Sequence, residues 1–148
     1  MPDQKAAPAL SFSDGELIVA QGETDTKMFI ILEGGAEASN VINGEKVLLQ
    51  RFETGDFFGE MSLLEGLPRS ADIHAVGETR VTTIGGGGLM HRIRKDPAFA
   101  LEMLKSLSSR LRRTTELYQD QVLERQSLQQ PDNGMNNGMN NGSKQDYD

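Results

Sequence analysis

The side chains best suited to chemistry lie in one short stretch, residues 55–71, which reads Gly-Asp-Phe-Phe-Gly-Glu-Met-Ser-Leu-Leu-Glu-Gly-Leu-Pro-Arg-Ser-Ala. Gly59 follows Phe58 and the Thr54-Gly55-Asp56 turn. A glycine there lets a ligand approach the main chain closely and permits conformations closed to other residues. Met61-Ser62-Leu63-Leu64 suits one helical turn, whose first N–H groups lack an intrahelical acceptor and favour an anion. Arg69 stands five residues beyond Leu64, on the return path into a strand. Its guanidinium can grip a phosphate through two parallel hydrogen bonds. Glu60 offers a carboxylate acceptor suited to a ribose hydroxyl. A glutamate for a sugar, with an arginine and amides for a phosphate, describes a site for a nucleotide monophosphate. A purely structural Arg–Glu pair would leave the glycine and the helical turn beside it unexplained.

These residues need a rigid frame, and the flanking sequence supplies one. Residues 10–84 carry strand signals. Leu17-Ile18-Val19-Ala20 and Met28-Phe29-Ile30-Ile31-Leu32 are apolar runs too short for buried helices. Turn residues separate them, the sharpest being Asn43-Gly44, which joins Ala36–Ile42 to Glu45–Phe52 as a hairpin. Alternation along the second arm puts Val47 and Leu49 on one face and Leu48 on the other. Ala71–Val76 and Arg80–Ile84 read as further strands. Strands at this spacing predict a barrel or jelly roll. The period then changes to that of a helix over residues 89–128, with Asp96 as N-cap and Pro97 at the first helical position. Leu101, Leu104, Leu107 or Ser108, Leu111, Tyr118 and Val122 recur at spacings of three, four or seven. The stripe is expected to pack on the barrel, with its distal part, Tyr118 and Val122, as a homodimer seam. The core domain is thus 10–130, preceded by a polar arm at 1–9. Residues 131–148 contain the repeat Asn-Gly-Met-Asn and no branched aliphatic side chain, so they read as a disordered tail.

Composition removes several function classes. The chain has 148 residues and no cysteine, which excludes disulfides, thiolate metal sites and cysteine nucleophiles. Its net charge of −7 opposes the non-specific phosphate attraction on which DNA-binding domains rely. No stretch approaches the roughly 18 apolar residues of a membrane span, and Met1–Pro8 has no signal-peptide run, so the expected compartment is the cytoplasm. The two histidines, His74 and His91, have no metal-ligand spacing, so no metal is expected. With no acid–base pair or activated nucleophile in view, no enzyme activity is expected.

The run Phe58-Gly59-Glu60-Met61-Ser62-Leu63-Leu64, followed by Pro68-Arg69-Ser70-Ala71, resembles the phosphate-binding cassette of the cyclic-nucleotide-binding domain family. Phe12, Gly15, Ile18 and Gln21-Gly22-Glu23 resemble that family's opening strands. Phe29–Gly34, Gly55-Asp56 and Arg110-Leu111 resemble its later landmarks. The resemblance implies a mainly β fold with α, a double-stranded β-helix (jelly-roll) barrel followed by a long C-terminal helix, and cAMP or cGMP as ligand. It also implies roles. Glu60 would take the ribose 2′-hydroxyl, and Arg69 with the main chain at Met61 and Ser62 would take the cyclic phosphate. Ser70 resembles the serine that contacts the phosphate in the bacterial catabolite activator group. Thr114-Thr115 resembles that group's Thr-Ser pair on adenine, which leans the ligand toward cAMP. Phe58, Gly59 and Ala71 complete the cassette, and Val47 and Leu49 would line the base and ribose side.

Two departures from that family stand out. The catabolite activator group continues into a helix-turn-helix, whereas this sequence continues into the Asn/Gly tail, so a nucleic-acid partner is not expected. Gly85-Gly86-Gly87-Gly88 falls where the family begins a short helix, and four glycines favour a plain loop there. The expected function is a cyclic-nucleotide sensor whose C-terminal helix moves on binding and signals to a downstream protein or a second copy. The alternative is a non-binding scaffold that docks a partner through the same helix.

Overall fold

The computed structural model describes residues 8–129. The expected tail at 131–148 and residues 1–7 of the expected arm lie outside the described residues. The described chain forms β1 (Leu10–Phe12), β2 (Leu17–Val19), β3 (Met28–Ile42), β4 (Glu45–Phe52), β5 (Phe57–Phe58), α1 (Glu60–Glu65), β6 (Asp72–Ile84), α2 (Gly86–Lys95) and α3 (Pro97–Gln129). It divides into two compact units, one ending at Phe99 and the other beginning at Ala100.

All six strands belong to one antiparallel sheet with the order β1-β6-β3-β4, with β2 added to β6 and β5 to β3. Two long strands organise it as a jelly roll. β6 pairs near its end with β1 (Leu10↔Val81) and near its start with β2 (Leu17↔His74). β3 pairs with β5 (Phe29↔Phe58) and, beyond a bend, with β4 (Ala36↔Phe52). Residues from both halves of β3, namely Phe29, Ile31, Ala36 and Ala38, enter one core with Val19, Phe52, Phe58, Ala71, Ile73 and Val81. Phe58 stacks on Phe29 with ring centroids 4.9 Å apart, so a stacked aromatic pair of the core adjoins the stretch of chemical interest.

The bend in β3 corrects the expected strand boundaries. Met28–Leu32 and Ala36–Ile42 are one strand, interrupted by register shifts between Ile31 and Gly35. Gly34 takes φ 84°, and a Cβ there would collide with the Glu78 carbonyl and come within 2.7 Å of Thr79 Oγ1. The buried Thr79 hydroxyl pins the bend by donating to the Gly35 carbonyl at 2.8 Å. Likewise Ala71–Val76 and Arg80–Ile84 merge into β6, which bends through Gly77. The Asn43-Gly44 hairpin is as expected, with Asn43 at φ 53°. A further shift between Ala38 and Ser39 leaves Leu49 as the extra, unpaired residue of β4. The simple alternation that grouped Leu49 with Val47 is interrupted there.

The expected loop at Gly85–Gly88 is a second correction, because α2 begins at Gly86 with Gly85 as its N-cap. Three helical glycines cost about 1 kcal/mol each relative to alanine, and packing offsets this. Leu89 is buried and closes the first helical bond to the Gly85 carbonyl at 2.9 Å. A Cβ at Gly86 would lie 3.9 Å from Leu63 and one at Gly88 3.5 Å from Ile84, ordinary contact distances. The helical part is therefore two helices, 86–95 and 97–129, with Pro97 opening the second as its fixed φ favours. Arg92 covers the Phe99 ring at 4.2 Å from its centroid. In the second unit, α3 exposes Leu104, Leu111 and Tyr118, spaced seven residues apart.

Candidate functional site

Arg69 lies in the segment between α1 and β6, and the β2–β3 connection holds its main chain on both sides. Its N–H donates to the Glu23 carbonyl at 2.7 Å, and its carbonyl accepts from the Gly22 N–H at 2.9 Å. The Gln21 N–H adds a bond to Asp72 Oδ1 at 2.7 Å just beyond. So anchored, the Arg69 side chain turns inward and is 3% exposed. Its Nη1 donates to the Gly59 carbonyl at 3.1 Å and its Nη2 to the Lys27 carbonyl at 2.6 Å. The guanidinium also lies 5.5 Å from the Phe29 ring centroid.

Gly59 makes this possible. It caps the N-terminus of α1 at φ 81°, ψ 11°, a left-handed conformation. A Cβ at that position would sit 2.7 Å from Arg69 Nη1 and 3.3 Å from the Lys27 carbonyl. The residue thus gives up its side-chain space to the guanidinium while offering it a carbonyl. The helical turn predicted at Met61–Leu64 is α1 and begins one residue earlier, at Glu60.

The electrostatics leave the cation receptive to an anion. Among the described residues, the carboxylate in ion-pair range of Arg69 is Asp25, at 3.6 Å, and its side chain is 45% exposed. A carboxylate so placed is screened by water and compensates a buried charge weakly. A guanidinium has five N–H donors. Nη1 serves the Gly59 carbonyl, while Nη2 serves the Lys27 carbonyl and faces Asp25, so these contacts use three of the five.

The structure brings most of the expected site residues into this neighbourhood. Phe58, Gly59, Glu60, Met61 and Ser62 run through β5, the cap and α1, and Arg69, Ser70 and Ala71 return to β6. Phe58 and Ala71 are buried in the core beneath, Glu60 is half-buried, and Met61 and Ser70 are exposed. Val47 on β4 is cross-strand partner to Asn40, whose Nδ2 donates to the Ser70 carbonyl at 3.1 Å. Directly opposed residues share a sheet face, so Val47 lies on the side that meets the cassette. Leu49 sits at the bulge, half exposed. Thr114 and Thr115 belong to the second unit. Each hydroxyl donates to the carbonyl four residues earlier, Arg110 and Leu111, at 2.9 Å.

Sequence reasoning missed Asp25, the Lys27 carbonyl and Asn40. The first two lie in the turn region before β3 and carry no motif of their own. They become site residues only because β3 brings them to Gly59. A separate groove of about 470 Å³, lined by Gly35, Glu37, Arg51, Phe52 and Val76 among others, contains no cassette residue. No cluster of three or more His, Asp or Glu among the described residues is placed to hold a metal.

Comparison with known proteins agrees with this geometry. A family model described as the cyclic nucleotide-binding domain matches residues 9–96. A cAMP-dependent protein kinase regulatory subunit of Mycosarcoma maydis is 40% identical over 68 residues, which is 46% of this chain and 13% of that protein. A CRP-like cAMP-activated global transcriptional regulator of Mycobacterium tuberculosis is 28% identical over 111 residues, 74% of this chain and 50% of the regulator. The catabolite activator protein of Thermus thermophilus aligns with a TM-score of 0.67 at 27% identity, covering 78% of this chain and 54% of that one. The chain therefore spans half or less of these two curated relatives. With an antiparallel jelly-roll sheet, a cassette built around an inward arginine, and a family match over more than half its length, this chain belongs to the cyclic nucleotide-binding domain family.

Proposed function

We propose that the chain is a cytoplasmic receptor module that binds cAMP in preference to cGMP and reports occupancy through movement of α3. The observation that carries this reading is the buried Arg69 guanidinium, fixed by two carbonyls at the cap of α1 and weakly compensated by Asp25. In this reading Arg69 takes the exocyclic phosphate oxygens, helped by the main chain at Met61 and Ser62 and by the Ser70 hydroxyl. Glu60 takes the ribose hydroxyl. Gly59, Phe58 and Ala71 shape the floor, and Val47 and Leu49 face the base and ribose.

The preference for adenine has a chemical basis in Thr114 and Thr115. Both hydroxyl protons are given to helix carbonyls, so what each hydroxyl offers is an acceptor. Adenine presents an amino donor at its 6-position, whereas guanine presents a carbonyl acceptor. The ligand acts by binding two positions of α3 with different affinity. Its role is regulatory, like that of the cAMP-dependent protein kinase regulatory subunit and the cAMP-activated transcriptional regulator to which it is similar.

Thermal unfolding with increasing cAMP or cGMP tests the reading, because a ligand specific to the native state raises Tm with concentration. A rise with both, larger for cAMP, is expected. An unchanged Tm at millimolar concentrations of both would favour the scaffold reading. Tyr118 and Val122 are assigned to a homodimer seam along α3, and Tyr118 is 65% exposed. Sedimentation velocity is expected to show a dimer that Tyr118→Glu dissociates. A parent chain that is monomeric at all concentrations would refute the seam.

A further inference from the structure

The Asn40 side chain reaches from β3 to the segment that carries Arg69 and Ser70. Its Nδ2 donates to the Ser70 carbonyl at 3.1 Å, across 30 residues of sequence. This contact also fixes which end of the carboxamide is which, since the reverse orientation would set two acceptors against each other. The other end, Oδ1, is buried and receives no hydrogen bond from the protein. A buried acceptor without a donor lowers stability, and an apolar side chain of similar size would avoid that cost. The position is not remote from the site. Asn40 is paired with Val47 on the hairpin face that meets the cassette, and it touches the residue next to the phosphate-binding arginine.

We propose that Asn40 is a ligand-recognition residue. Its Nδ2 holds the Ser70 main chain in place, and its Oδ1 is an acceptor kept for a hydrogen-bond donor that the nucleotide brings. The inference rests on the nucleotide-binding reading above. The chemistry it requires is an N–H or O–H donor on the ligand, which cAMP carries at two places, the purine 6-amino group and the ribose 2′-hydroxyl, whose single proton can go to Asn40 or to Glu60 but not to both. In the unliganded chain the same oxygen is a liability, so its removal should separate stability from affinity. A purely structural asparagine would lose both together.

The test uses the full chain and two variants, Asn40→Leu and Asn40→Asp. Each is examined by calorimetric unfolding without ligand and by titration with cAMP, 2′-deoxy-cAMP and the cyclic phosphate of purine riboside, which lacks the 6-amino group. Asn40→Leu is expected to unfold at the parent temperature or above it while binding cAMP at least tenfold more weakly. That loss should shrink, to the part due to the lost Ser70 tether, for whichever analogue lacks the donor that Oδ1 accepts, which identifies the donor. Asn40→Asp keeps an acceptor and loses the amide donor, so it should keep the parent's ranking of the three ligands at reduced affinity, and it serves alone if the leucine variant does not fold. An equal loss for all three ligands, no loss at all, a fall in unfolding temperature that parallels the fall in affinity, or an altered ranking in Asn40→Asp would each overturn the assignment. A parent chain that gives no binding signal with any of the three would instead sink the nucleotide reading itself.

Discussion

Replacing Arg69 by alanine perturbs both the fold and the ligand, and the structure gives each a separate size. Without ligand, the guanidinium makes two charge-assisted hydrogen bonds, to the carbonyls of Gly59 and Lys27. Such bonds contribute about 1.5–3 kcal/mol each. Lys27 is exposed and its carbonyl can recover water, while the pair with the half-exposed Asp25 adds little. The expected stability loss is therefore about 2–4 kcal/mol rather than the full sum. At about 4 °C per kcal/mol, where the values for smaller and larger domains meet, the unfolding temperature should fall by about 8–16 °C. With ligand, a further charge-assisted phosphate pair is lost, which raises the Kd for cAMP by about 10- to 150-fold. Differential scanning calorimetry without ligand reads the first effect. Titration calorimetry well below the variant's unfolding temperature reads the second. A variant that unfolds early but binds cAMP as tightly as the parent would mean that Arg69 only ties the cassette to β3, and the phosphate assignment would be refuted. A variant with unchanged stability would refute the buried geometry itself.

Two further substitutions follow from the same contacts. Gly59→Ala places a Cβ 2.7 Å from Arg69 Nη1 at φ 81°. It should weaken cAMP binding about tenfold through displacement of the guanidinium, although residue 59 offers the ligand no side chain, and unaltered affinity in titration calorimetry would contradict this account. Replacing both Thr114 and Thr115 by valine removes the two hydroxyl acceptors while keeping side-chain shape. The ratio of cGMP to cAMP dissociation constants should fall toward one, and a ratio equal to the parent's would remove the threonines from base recognition.

Much of the cassette was legible because its requirements are local. Gly59, Glu60, Met61-Ser62 and Arg69 follow one another at spacings that a cap, a helical turn and a return strand demand, and the structure has each in that place. The same holds for the Asn43-Gly44 hairpin and for Pro97 at the start of α3. The polyglycine stretch was misread for a related reason. Glycine's poor helix propensity is a local property, but the helix there is stabilised by burial of Leu89, which local propensity does not contain.

The sequence by itself determined the residue types of the site, the order of its parts and the family to which they belong. The tertiary structure decided how the arginine is held. Lys27 lies 42 residues from Arg69, Thr79 lies 44 from the Gly35 carbonyl that it pins, and Asn40 lies 30 from Ser70. Such contacts depend on where two long strands bend and which neighbours they bring together. Turn chemistry and periodicity are written residue by residue, whereas the partner of a buried charge is whatever main chain the packed sheet delivers to it.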